Sequence, residues 1–174
     1  MADSTHLAAT LADRFAIDEV LVRYCRGVDR CDAEELRRVF TSDATIDFGT
    51  GPHPVDGAID RILANLRPMR MTQHTISNAL VRIDGDQARA ETYTHSLHIF
   101  GIPGQWTEMV VGGRYLDRLA RIDGAWRIAE RVYVMDWNRQ GPSIFQDSGG
   151  LYESLNRQGG REPDDPSYRW WADD

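Results

Sequence analysis

The pattern of apolar and polar positions changes once along the chain, near Gln73. Before that point the period is helical. Leu11, Phe15, Val20, Leu21, Tyr24 and Val28 recur at close to 3.6-residue spacing, with Arg14, Asp18, Glu19, Arg23 and Arg26 on the other face. This predicts an amphipathic helix from about residue 10. Asp32, followed three residues later by Glu35, is a capping-box signal for a second, short helix through Leu36, Val39 and Phe40. "ATIDFG" (44–49) predicts a short strand. A third helix is expected from Gly57 to Leu66, stopped by Pro68.

After Gln73 the period becomes two. "HTISNALVRI" and "QARAETYTHSLHIF" flank Asp84-Gly85-Asp86, and "TEMVVGGRYLDRLARI" and "AWRIAERVYVMDW" flank Asp123-Gly124. Asp-Gly between alternating runs is a strong hairpin signal. Helices first and an antiparallel meander after them make the expected class α+β. Residues 1–140 are expected to form one domain. The remainder, 141–174, is rich in Gly, Pro and Asp, with one helical turn expected at 150–156. Its Phe145, Trp170 and Trp171 are costly to leave in water, so this extension is expected to lie across the domain or a partner subunit.

Length and charge narrow the partners. At 174 residues the chain can bury a single substantial core. Its net charge of −7 argues against nucleic acid, and no apolar run is long enough to span a bilayer. "MADSTHLAATLADRF" lacks the basic and apolar regions of a secretory leader. Cys25 and Cys31 are too close along one predicted helix for an evident disulfide or metal spacing. A cytoplasmic protein is expected, with a small molecule as its partner.

Candidate chemistry centres on His74, which opens a strand that gains little from an imidazole unless the ring is used. A neutral imidazole is a competent base near pH 7, and a carboxylate on its far nitrogen fixes its tautomer. Asp29, at the end of the first helix, and Asp47, on the first strand, are both candidates for that carboxylate. The strands mix polar groups into their apolar faces, as a ligand pocket does. Asn78, Tyr93, Met109, Tyr115, Tyr133 and Trp137 are the expected lining. Val110, Leu116, Trp126, Ile128, Val132 and Val134 suggest either a dimer surface or the core under the helices. His6 and His53 fall in expected loops and read as solvated. "GTGPHP" lacks the ending of a phosphate loop, and no zinc, serine-nucleophile or dinucleotide motif occurs. No metal and no cofactor are expected.

"RYCRGVDRCDAEELRRVFTSDATIDFG", "QHTISNALVRIDGDQARAETYTHSLHIF" and "WRIAERVYVMDWNR" together resemble the SnoaL-like branch of the NTF2-like superfamily. The resemblance spans about residues 10–140 and includes the Tyr-x4-Asp pattern of Tyr24 and Asp29. It implies an NTF2-like cone: a curved antiparallel sheet wrapped around N-terminal helices and enclosing an apolar cavity. Relatives include scytalone dehydratase, bile-acid 7α-dehydratase and hexachlorocyclohexane dehydrochlorinase. By resemblance, Asp29 and His74 would be the Asp–His pair of a cofactor-independent lyase acting on a hydroxylated aromatic or polycyclic molecule. Relatives in bacteria that degrade aromatic compounds include lyases that release water or formaldehyde, so the resemblance implies a role in aromatic-compound catabolism. Tyr24 would assist, and a second histidine would be His95, with His98 as the fallback. The late arginine would be Arg139, with Arg131 competing. A homodimer or homotrimer is expected. Isomerases and aldol cyclases of the same fold, and non-catalytic binding modules, are the alternatives.

Overall fold

The computed structural model describes residues 4–172, with side chains from Ala8 onward. Helix α1 (Ser4–Arg30) begins before the repeat that predicts it. Its buried face is Ile17, Val20, Leu21, Tyr24, Cys25 and Val28, whereas Leu11 and Phe15 are exposed, because the helix buries large apolar side chains only from Ile17 on. His6 belongs to this helix rather than to a loop, and its side chain lies outside the described residues.

The end of α1 is built to stop. Cys31 adopts a left-handed φ of 54°. Its N–H donates to the Val28 carbonyl (3.3 Å), and the Asp32 N–H donates to that of Gly27 (2.9 Å), the paired bonds of a Schellman turn. The Asp32 side chain then caps α2 (Ala33–Val39), accepting the Glu35 N–H at 2.9 Å. A Cβ on Gly27 would sit 2.8 Å from Leu36 Cδ2, so the close approach of α1 and α2 requires glycine there.

Strand β1 (Phe40–Asp47) follows α2 directly and starts earlier than expected. A two-residue β2 (His53–Pro54) leads into α3 (Val55–Leu66). Four long strands then run as a meander: β3 (Met71–Asp84), β4 (Gln87–Ile102), β5 (Gln105–Ile122) and β6 (Ala125–Pro142). Gly85 and the Asp123-Gly124 pair take positive φ at two of the turns, as the sequence predicts. The sheet order is β2-β1-β6-β5-β4-β3. β1 runs parallel to β6, so the curved sheet is mixed rather than wholly antiparallel.

One face of the sheet packs on the helices. Leu21, Leu36, Ile46, Ile59, Leu63, Leu119 and Ile128 are buried almost completely, each contributing roughly 1.5–3 kcal/mol relative to exposure. Trp126 and Ile128 therefore belong to the core under the helices, whereas Leu116, Val132 and Val134 line the outer face. Two irregularities matter for the site. β3 bulges between Ser77 and Leu80, with Asn78 at φ 46°, and β5 slips against β6 between Gly112 and Gly113.

Residues 143–172 lie across the domain. Phe145 packs edge-on to Trp106, and Arg70 bonds Asp147 (2.9 Å) and the Tyr152 hydroxyl (3.1 Å) beside α4 (Gly150–Ser154). Asp165 caps α5 (Pro166–Trp170) and pairs with Arg30 at 3.1 Å, and Tyr168 donates to Asp32 at 2.7 Å. Trp170 and Trp171 do not share in this packing: they are 78% and 61% exposed. No helix among the described residues is long and apolar enough to cross a membrane.

Candidate active site

The last turn of α1 places Asp29 opposite the start of β3. Its carboxylate accepts twice from one residue: the His74 backbone N–H at 2.8 Å on Oδ2, and His74 Nδ1 at 2.7 Å on Oδ1. Both side chains are about one-tenth exposed. A carboxylate only accepts, so Nδ1 carries a proton, and in the neutral form of the ring the lone pair is on Nε2. Asp47, the other candidate, is committed elsewhere, its Oδ1 accepting the N–H groups of Gly49, Thr50 and Gly51 at 2.7, 3.1 and 3.0 Å.

His74 lines a cavity of about 390 Å³. Its apolar walls are Val28, Ile46, Phe48, Ala58, Ile62 and Leu66, and its polar depth holds His98, Tyr24 and Tyr115. Exposed Thr50, Arg61 and Asn65, with half-buried His53, form the rim. His98 projects from β4 with its ring edge-on to His74, centroids 5.4 Å apart. Burial, and then repulsion by His74, push His98 down to about 4, while the Met109 backbone and Asp29 pull the other way. His98 is therefore neutral near pH 7, and its buried Nδ1 has no partner among the described residues.

A buried arginine supports the tyrosines. Arg131 forms a bidentate pair with Asp117, both contacts 2.7 Å, with neither side chain exposed. Its guanidinium lies 3.9 Å from the Tyr24 ring centroid and 4.1 Å from that of Tyr115. Burial alone would weaken its proton, but Asp117 outweighs this and keeps Arg131 charged. Burial pushes the Tyr24 hydroxyl up to about 12, against the pull of Arg131, so it remains a donor.

Several expected residues stand elsewhere. The inward face of β4 carries Thr94, Ser96 and His98, which leaves Tyr93 and His95 on the outer face. His95 packs against Trp137, which the Gly112/Gly113 slip also turns outward. The bulge in β3 exposes Asn78. Arg139 is 71% exposed and lies 3.7 Å from Glu108, so Arg131 is the late arginine that reaches the site's tyrosines. Met109 pairs across from His98 without lining the cavity, and Tyr133 packs on Tyr115 and Phe48 beside it. His53, read as solvated, lines the rim and contacts Thr50 Oγ1 through Nε2 at 3.1 Å. Arg61 and Asn65 escaped the sequence reading. Their one signal is the helical spacing of four that puts both on one side of α3. Among the described residues no His, Cys, Asp and Glu group is arranged to hold a metal ion.

Comparison with known proteins places this architecture. The model of the SnoaL-like domain family matches residues 9–132. The uncharacterised protein Rv2910c of Mycobacterium tuberculosis is 31% identical over 130 residues, covering 71% of this chain and 86% of the relative. Among solved structures, Kfla4162 of Kribbella flavida has a TM-score of 0.69 at 25% identity, covering 75% of this chain and 95% of its own. A type 2 hexachlorocyclohexane dehydrochlorinase, LinA, has a TM-score of 0.70 at 23% identity, covering 82% and 97%. The match over most of the chain, on a mixed sheet folded around three N-terminal helices, shows that this protein belongs to the SnoaL-like domain family.

Proposed function

We propose that the protein is a cofactor-independent lyase that abstracts a proton from carbon and expels a group from the neighbouring carbon. The observation that carries this reading is the Asp29–His74 pair, with Nδ1 held by the carboxylate at 2.7 Å and the ring on the wall of an apolar cavity. His74 Nε2 takes the proton, the C–H electron pair becomes the new double bond, and Asp29 stabilises the imidazolium. A leaving hydroxyl departs as water after accepting a proton from that imidazolium. The Tyr24 hydroxyl donates a hydrogen bond to the oxygen on which charge develops. That the LinA fold relative is named a dehydrochlorinase supports an elimination.

The substrate that fits is a hydroxylated aromatic or polycyclic molecule, its body against Val28, Ile46 and Ile62 and a polar end at Arg61 and Asn65. His74→Gln separates a lyase from a binding module of the same fold. In a screen of hydroxylated aromatic compounds, a lyase loses about 10²–10⁴ in turnover while ligand affinity stays within a few-fold. Unchanged turnover in that variant would overturn the reading.

A further inference from the structure

One residue that bonds both elements carrying the Asp29–His74 pair comes from outside the stretch matched by the family model, which ends at residue 132. The last carbonyls of α1 show why one is needed. The Schellman turn satisfies Gly27 and Val28, leaving the carbonyls of Asp29 and Arg30 without intrahelical partners. Both are taken by the C-terminal extension. The Glu162 N–H donates to Arg30 at 2.8 Å, and Arg161 Nη1 donates to the Asp29 carbonyl.

Arg161 does more than close that helix. Nη1 also donates to Thr72 Oγ1 at 2.9 Å, and Nη2 donates to the carbonyls of Leu66 (3.2 Å) and Met69 (3.3 Å). One planar fork thus joins the end of α1, the end of α3 and the start of β3. Thr72 lies two residues before His74 on the same face of β3. The distance between Asp29 and His74 is set by how α1 and β3 sit against one another, and Arg161 bonds both. No carboxylate among the described residues pairs with Arg161, and its charge lies at the negative end of α1, where a cation is favoured.

We propose that Arg161 is a positioning residue for the Asp29–His74 pair, so that the C-terminal extension completes the active site. The inference rests on the lyase reading only for what the pair does, since the geometry it explains is the pair itself. A lysine keeps the charge but cannot span these acceptors as a fork.

The test is proton NMR of the full-length protein, following the low-field resonance of the hydrogen bond from His74 Nδ1 to Asp29, with the thermal midpoint as the control for folding. The resonance is assigned by its loss in His74→Gln and in Asp29→Asn. Arg161→Met and Arg161→Lys are expected to lose it to solvent exchange while remaining folded. Tyr168→Phe, which loosens the extension at Asp32 alone, is expected to keep it. If Arg161→Met fails to fold, Arg161→Lys decides. Retention of the resonance in a folded Arg161 variant, or its loss in Tyr168→Phe as well, overturns the proposal. Its absence from the wild type overturns both the pair and Arg161's role. A wild-type resonance that persists in Arg161→Lys refutes Arg161 alone.

Discussion

His74 and His98 sit ring against ring, yet their surroundings assign them different work. His74 has a carboxylate on Nδ1, whereas His98 has apolar walls and a neighbouring imidazole. Its depressed pKa of about 4 makes a stability prediction with a definite sign. An unfolded histidine titrates near 6.5. Between these values the unfolded chain binds the proton and the folded chain does not, so this contribution is full above about 6.5 and is lost as pH falls towards 4. Between pH 7 and pH 5 the loss is about 2 kcal/mol. Urea unfolding of the wild type and of His98→Asn at both pH values measures it. The variant is expected to lose about 2 kcal/mol less than the wild type over that interval. Equal losses in the two proteins would show that His98 takes up its proton in the fold as readily as in the unfolded chain.

Faces of strands invert wherever a ladder slips by one residue, and this decides which strand residues reach the cavity. The alternation along β3 puts His74 and Ile76 on one face but breaks at the bulge after Ser77. Asn78, a residue that tolerates positive φ, is the only local mark of that break. In β4, period two alone offered two parities, and the set containing Tyr93 and His95 is the outward one. The Gly112-Gly113 pair marks the other slip, and the two glycines have opposite surroundings. A Cβ on Gly113 would meet the Val134 carbonyl oxygen at 2.3 Å, which is backbone and cannot turn aside. A Cβ on Gly112 would meet the Trp137 indole at 2.3 Å, a half-exposed ring free to swing into water. Gly113→Ala is therefore expected to destabilise by about 1–3 kcal/mol, and Gly112→Ala by less than about 1 kcal/mol. Gly112→Ala should also change the tryptophan emission. Denaturant unfolding monitored by circular dichroism and by fluorescence tests both, and equal costs would contradict the assigned slip.

At the scale of the whole molecule, what was legible from sequence is what local patterning controls: the three helices, the hairpins, and a carboxylate and an imidazole at the ends of their elements. What was not legible is what tertiary closure brings together. Arg161 and Asp29 are 132 positions apart, and Arg131 and Asp117 meet only because β5 and β6 pair in one register. The cavity is likewise a product of closure, with α3 forming one wall and the sheet bearing His74 and His98 another. Ala58 is the small residue on that helical wall, 4% exposed. Replacing it with phenylalanine adds a ring at the cavity wall, so ligand space is lost at an overpacking cost of about 1–3 kcal/mol. A hydroxylated polycyclic aromatic at a hundred times its dissociation constant stabilises a protein by about 2.7 kcal/mol. That corresponds to a rise in thermal midpoint of several degrees for a chain of this size. The wild type and His74→Gln should both show that rise, because His74 acts on a ligand already bound. Ala58→Phe should show none at the same concentration. A rise retained in Ala58→Phe would move the binding site out of this cavity, and the acid–base pair would then be facing a space that no substrate enters.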